Sequence, residues 1–228
     1  MRHFIVPICA ALVVAAAPAP APAHAATPRE ILTQASFGTT DKAQALTLVK
    51  QALAQADAEL KADPGDREAV LQHGVALGYR ARLTRSPADA KAARALFETY
   101  AATSPRDPEG QLALATWHLD TVEAGFFAFT MLKAKKEVGL AALNRAVALG
   151  GNRAFFPGFA ALLRIRLNPK DVAGARQLAE RALAGSTNSA LDRLARRDAE
   201  AVLVPLRNND GAAAAQLARK LLPFGRLD

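Results

Sequence analysis

Cysteine is almost missing from this sequence. The only one among 228 residues is Cys9, inside an apolar N-terminal stretch with no lipobox before it, so a lipid-anchored cysteine is not favoured. Beyond that stretch the chain has no thiol, which excludes disulfide bonds and a thiolate nucleophile. Its stability therefore has to come from packing alone.

Histidine and the signatures of common enzymes are also scarce. Beyond residue 25 the only histidines are His73 and His118, and there is no Gly-rich phosphate loop, G-x-S-x-G or H-E-x-x-H sequence. Asp120 and Glu123 follow His118 closely, and together they could form a proton-transfer site or half of a metal site. A structural or groove-lining role is favoured, because no nucleophile or oxyanion donor accompanies them. We expect no enzyme, metal or cofactor.

Charge is plentiful but mixed, with a formal net charge of +8. Such a balance suits anionic envelope surfaces or ligands, yet the basic residues alternate with acids, which favours an ordinary solvated exterior. No basic stripe is interleaved with aromatic residues, so nucleic acid is not an expected partner. Two basic clusters are interpreted as solvated faces, and Asp192 is expected to pair with Arg196 one helical turn away. The clusters are Arg80, Arg82 and Arg85, and Arg193, Arg196 and Arg197.

The first 25 residues are predicted to be a secretory signal peptide. Arg2 gives a positive start, residues 4–17 are mostly apolar, and Ala23-His24-Ala25 fits the small-residue cleavage rule. The apolar stretch is shorter than the ~20 residues that a spanning helix needs, and the Pro-rich tail that follows argues against a membrane anchor. We expect export to a Gram-negative periplasm with cleavage after Ala25; full secretion is the alternative.

Alanine-rich stretches with the apolar periodicity of amphipathic helices are abundant, and Pro, Gly and Asp separate them. No alternating strand pattern competes, so the expected fold class is all-α. A short helix and linker occupy residues 26–40, and helical pairs fill 41–228. The predicted helices cover residues 28–37, 41–62, 66–85, 88–103, 136–149, 153–167, 189–207 and 211–222, one that begins at Pro108, and one over VAGARQLAERALA.

These pairs resemble tetratricopeptide repeats, which put a small residue midway along the first helix, and alanines with a large apolar residue along the second. The matching positions are Gly74, Ala93 and Phe97; then Ala115, Gly139, Leu143 and Ala146; then Ala161, Ala175 and Ala182. Pair ends near 64, 105, 151 and 187 are irregular beside the family period of about 34 residues. The irregularity and the export signal are also similar to the T-component proteins of TRAP transporters.

The resemblance implies a right-handed superhelical array of antiparallel helix pairs, with irregular insertions and with first helices lining a concave surface. The residues that it places there are Val75, Gly78 and Tyr79, then Thr116, Leu119 and Asp120, then Leu162, Ile165 and Arg166. Such a mostly apolar lining suits an extended peptide or an amphipathic helix. The implied function is a non-catalytic protein-interaction or scaffold module for another envelope protein. The alternative is a transporter-accessory protein that binds a hydrophobic small molecule.

The stretch between Leu119 and Lys136 is distinctive, because it concentrates aromatic bulk. Its large apolar residues are Phe126, Phe127, Phe129, Met131 and Leu132. The favoured interpretation is that the phenylalanines fill gaps between alanine-rich helices. An apolar lip that grips a partner or hydrophobic ligand, and an interfacial membrane contact backed by lysines, are the alternatives.

Overall fold

The structure, a computed structural model, describes residues 25–227 and leaves out the side chain of Phe129. The predicted signal peptide lies outside the described residues except for Ala25. Residues 25–227 fold into helices without a strand, which confirms the all-α class. In chain order these are α1 (Pro28–Phe37), α2 (Lys42–Ala62), α3 (Arg67–Thr84), α4 (Pro87–Thr103), α5 (Pro108–Glu123), α6 (Phe126–Leu132), α7 (Lys136–Leu149), α8 (Phe155–Leu167), α9 (Val172–Ala184), α10 (Ala190–Arg207) and α11 (Gly211–Leu221). Within the described range, none has both the length and the hydrophobicity to cross a bilayer.

Short polar residues set the helix starts, as the sequence predicts. Ser86 precedes Pro87 and its hydroxyl accepts the Asp89 backbone N–H; Asp41 and Asp66 cap α2 and α3 in the same way. Each cap satisfies an N–H group that has no partner inside the helix. The helix predicted over residues 28–37 spans Pro28–Phe37.

Each helix packs on its neighbours in sequence, except that α7 rather than the short α6 is the main partner of α5. Two apolar cores result. One core is formed by α5 together with the helices from α7 through α11. Helix α8 lies at its centre, because it packs on α10 and α11 as well as on α9. The other joins α1 to α4 and takes in Trp117 of α5 and Phe224 from beyond α11.

Four helices run in the same direction. Arg29 in the first turn of α1 pairs with Glu68 and Glu109, which lie in the first turns of α3 and α5. Arg153, just before α8, also reaches Glu109. At the far ends of α3, α5 and α8, a second set of ion pairs joins Arg82, Asp120 and Arg166. We call α1, α3, α5 and α8 the inner helices.

The two ends of the described chain meet. The Phe224 N–H donates to the Ser36 carbonyl of α1 at 2.9 Å, and Arg226 donates to the Phe37 carbonyl. The Phe224 ring also packs edge-on against Tyr79 of α3, with centroids 4.8 Å apart. The segment after α11 is thereby tied to the first helix.

Glycines allow the closest helix approaches. A Cβ at Gly158 of α8 would lie 2.8 Å from the Ala195 carbonyl oxygen of α10, whereas one at Gly78 of α3 would meet nothing nearer than 3.8 Å. Backbone cannot swing aside as a side chain can, so Gly158 fixes the spacing of α8 and α10.

We predict opposite effects for two glycine-to-alanine changes. Gly158→Ala should lower the free energy of unfolding by about 1–3 kcal/mol, the usual cost of overpacking. Gly78→Ala should be neutral or raise it by up to about 1 kcal/mol, because alanine is the better helix former. Urea titration of both variants measures this, and equal effects would contradict the role given to Gly158.

Candidate functional site

The inner helices surround a cavity of about 1130 Å³, which we call the central groove. Its walls come from α1, α3, α4, α5, α6 and α8, with single residues from α10 and α11. Most of the lining is apolar, and it includes Leu32, Leu71, Val75, Phe97, Leu112, Ala113, Trp117, Phe155 and Phe159. Ligand cavities are typically apolar with a few placed polar groups, at about 300–1,000 Å³, so this one lies just above the usual range.

Six residues that the resemblance places on the concave surface line the central groove. They are Val75, Gly78, Tyr79, Thr116, Asp120 and Arg166. The other three, Leu119, Leu162 and Ile165, do not line it; each is at most 1% exposed and belongs to the core around α8. Leu119 packs toward α7, where a Cβ at Gly139 would come within 2.8 Å of it. α8 has neighbours on several sides, so only a narrow stripe of it faces the groove.

Hydroxyl groups in the groove are already engaged as donors. Thr33, Ser36, Thr116 and Thr121 each donate to the carbonyl four residues earlier in their own helix, at 2.7–2.8 Å. A hydroxyl held in this way keeps acceptor capacity but has no spare proton for a ligand or a reaction.

Gln72 is a further polar residue in the groove wall. It is 5% exposed and lines the groove, and no described residue hydrogen-bonds to its side-chain amide. A buried amide without a protein partner costs free energy unless water or a ligand satisfies it. Gln72 therefore offers donors and an acceptor to whatever fills the groove.

Tyr79 stays protonated throughout the ordinary pH range. Burial raises the pKa of Tyr79 to about 12, and the charge of Asp120 adds to the rise, while Ser36 and Arg82 oppose it. Its phenol is consequently a neutral hydrogen-bonding group in the groove wall, not a base.

One end of the groove carries closely paired charges. Arg29 and Glu109 line the groove there, and Glu68, Arg153 and Asp192 lie around them. Burial lowers the pKa of Arg29, but the two adjacent glutamates outweigh it and raise that pKa. We call this the paired end. Its charges are interlocked, so none of its arginines is available without breaking an ion pair.

The opposite end carries an excess of arginine. Arg82, Arg85, Arg166 and Arg219 line the groove there, with only Asp120 and Glu123 as acids. We call this the basic end. Arg82 and Arg85 are exposed, as predicted for a solvated face, and they also line this cavity. Their distance from Arg166 in sequence hides this second feature.

A lip formed by α6 borders the basic end. Phe126 and Phe127 are both 78% exposed and Met131 is 40% exposed, so the expectation that phenylalanines fill gaps in the core is wrong for these two. Phe127 and Met131 line the groove, and the Phe129 side chain lies outside the described structure. We call α6 the aromatic lip.

Arg94 and His118 hold the C-terminal end of the aromatic lip and the residues after it. Arg94 of α4 donates to the Leu132 and Lys133 carbonyls at 2.9 and 3.2 Å. The His118 Nδ1 accepts the Lys135 N–H at 3.1 Å. Burial lowers the pKa of His118, Arg94 and Lys135 lower it further, and Glu98 opposes them. His118 is thus a neutral, structural acceptor, and the described residues contain no cluster of three metal-ligating side chains.

Helix α10 carries two buried carboxylates with opposite environments. Asp192 accepts from the Ser189 hydroxyl, Arg153 and the Phe155 N–H, and not from Arg196 as the sequence suggests. Burial would raise the pKa of Asp192, but these partners together hold it below its usual value. Burial raises the pKa of Asp198, and Arg197 offsets this only in part.

We predict that these two aspartates respond oppositely to amidation. At pH 7, Asp192→Asn should cost about 2–4 kcal/mol of unfolding free energy, because it leaves Arg153 poorly paired. Asp198→Asn should be neutral or stabilising, because it removes a buried charge.

Denaturant unfolding from pH 7 to pH 3 tests both expectations. The depressed pKa of Asp192 gives stability that is present above the unfolded value of about 3.9 and is lost as pH falls through the folded value. The difference in unfolding free energy between the wild type and Asp192→Asn should therefore shrink below about pH 4. An unchanged difference at low pH would contradict the claim that the Asp192 charge stabilises the fold.

The chain matches no protein-family model, no curated protein and no solved structure. The function has to be inferred from the groove itself.

Proposed function

We propose that the protein is an exported, non-catalytic binding protein whose central groove holds an elongated apolar small molecule. The observation that carries this is a mostly apolar cavity of about 1130 Å³ bounded by six helices. An empty apolar cavity of this size in water is unfavourable, and an apolar ligand gains by leaving water for it. The periplasmic setting rests on the predicted signal peptide.

Closure of the chain favours a small ligand over a long peptide. The residues that Phe224 contacts, Ser36, Tyr79 and Arg82, all line the groove. The meeting of the two chain ends therefore braces one wall. A long peptide in an open array would run past both ends, whereas a compact ligand needs only an entrance.

The helix pairs are proposed to form a tetratricopeptide-like array with α6 as an insertion. Two observations support this. The inner helices are parallel, as the first helices of successive repeats would be. In addition, a Cβ at Gly74 would lie 2.7 Å from the Phe97 ring of α4, so the glycine makes room for that ring. Ala161, Ala175 and Ala182 are fully buried between helices. The likeness to TRAP T-component proteins stays a proposal of the same kind.

Binding rather than catalysis is proposed because the groove's polar groups are poorly suited to proton transfer. Its hydroxyls donate to their own helices, Tyr79 is a weak acid, and His118 is occupied by the Lys135 N–H. A nucleophile needs an adjacent base within hydrogen-bond reach. None of these groups has that arrangement.

The test is to fill the groove. Thr116→Trp should reduce binding of the neutral fluorescent probe N-phenyl-1-naphthylamine at least about tenfold, since the indole would occupy the cavity. Thr47→Trp is a matched control: Thr47 is exposed on α2, and its hydroxyl also donates to the carbonyl four residues earlier. Saturable one-to-one binding to the control and wild type is expected, with similar unfolding midpoints. Undiminished binding to Thr116→Trp would contradict the proposal.

A protein-interaction role is the second candidate, and the aromatic lip favours it. Soluble proteins seldom expose adjacent large aromatics without a partner, and Phe126 and Phe127 are both 78% exposed. In this role the lip, rather than the groove, would contact another envelope protein or a second copy.

This second role is tested by native mass spectrometry of the chain isolated from its own periplasm. A defined complex should dissociate in Phe126→Ser/Phe127→Ser and persist in Thr116→Trp. A complex lost only in Thr116→Trp, or a released small molecule with no protein partner, would count against the lip as an interface.

A further inference from the structure

We infer that the ligand of the central groove is an amphiphile with an anionic head group, carboxylate or phosphate, which the arginines of the basic end bind at the groove mouth. This rests on the proposed function of the groove and adds the chemical class of its ligand. Four observations carry it: charge balance, loosely held donors, the location of exposed residues, and groove length.

The charge balance comes first. Among the residues that line the groove at the basic end, four arginines face two acids. Arg166 is 6% exposed and takes both acids, with Nη2 2.6 Å from Asp120 Oδ1 and Nε 2.6 Å from Glu123 Oε2. Nε makes a close ion contact but no aligned hydrogen bond. The closest ion pairs of both acids are thus made with this one buried arginine.

The remaining arginines are loosely held. Arg82 lies 3.4 Å from Asp120, and Arg219 lies 3.5 Å from Glu123, both beyond the length of a strong charged hydrogen bond. Arg85 pairs with no described residue. These three guanidinium groups retain donors that an oxyanion could take without breaking a good ion pair.

Helix C-termini alone do not account for this cluster. Arginines do complement the partial negative charge where helices end, and Arg219 lies 3.5 Å from the Arg166 carbonyl. Asp120 and Glu123, however, occupy the end of α5, where an acid is unfavourable. They are better explained as partners that hold Arg166. The charges of Arg82, Arg85 and Arg219 are then largely uncompensated, although Arg82 also lies over the Phe224 ring.

The mouth of the groove lies at this same end. The groove-lining residues here are well exposed. The side chains of Arg82 and Arg219 are 42% and 53% exposed, and the residues Phe127 and Met131 are 78% and 40% exposed. At the paired end, the groove-lining side chains of Arg29 and Glu109 are 30% and 18% exposed. An apolar tail inside and a charged head at the opening is how an amphiphile would sit in such a cavity.

The length of the groove suits a chain-like tail. Glu109 and Asp120 mark its two ends on α5, and eleven residues of α-helix rise about 17 Å. Along that distance the lining is apolar apart from Gln72, Ser36, Tyr79 and the engaged threonines. The paired end disfavours the opposite orientation, because an anionic head there would have to compete with Glu68 and Glu109 for Arg29.

The experiment is displacement of N-phenyl-1-naphthylamine from the chain that begins at Ala26. The competitors are palmitate, a lysophosphatidic acid, the neutral hexadecan-1-ol and hexadecyltrimethylammonium. At least one of the two anions should compete at about tenfold lower concentration than the alcohol, and the cation should be weakest. The preferred anion tells carboxylate from phosphate.

The variant is Arg85→Gln/Arg219→Gln, matched by Arg145→Gln/Arg207→Gln, which removes the same charge from exposed positions outside the groove. The first should abolish the anion preference and leave hexadecan-1-ol unchanged; the second should change neither. If the anions and the alcohol compete equally, or if both variants lose the anion preference equally, the inference about the head group is wrong. The proposal that the groove binds an apolar molecule would be unaffected. Failure of the probe itself to bind wild type would overturn both.

Discussion

The common direction of the inner helices is the constraint on which the rest of this structure depends. Helices that run in parallel bring their N-termini together at one end and their C-termini at the other. Arg29, Glu68 and Glu109 therefore meet at the first end, and Arg82, Asp120 and Arg166 meet at the second. The ion pairs from Arg29 to Glu109, and from Arg166 to Asp120, then tie helices that are far apart in sequence.

Small residues between the helices determine where the large ones lie. Alanines such as Ala115, Ala161 and Ala199 are fully buried, so helix axes approach closely and leave little room for aromatic rings between them. Trp117, Phe155 and Phe159 face the groove instead. The cavity is a consequence of this packing, because the six helices around it do not fill the space that they enclose.

Local structure could be predicted from the sequence, because its determinants are local. Ser86 and Pro87 start α4 by chemistry that operates within one turn. The side of a helix that faces the groove was harder to predict. Leu162 and Arg166 lie one turn apart on α8, yet only Arg166 lines the groove, because α8 is packed against several helices that no local pattern identifies. Similarly, Asp192 pairs with Arg153, 39 residues away, rather than with Arg196.

The aromatic lip shows why its position could not be predicted from residue type. Large aromatics usually lie in cores because burial is favourable, but α6 is a seven-residue helix between two long ones and has only α4 and α5 beneath it. A short helix packed on one side must expose the other. Arg94 and His118 hold its C-terminal end through backbone carbonyls and an N–H. Because these contacts fix the helix by its backbone, the Phe127 ring can stay exposed beside the arginines of the groove mouth.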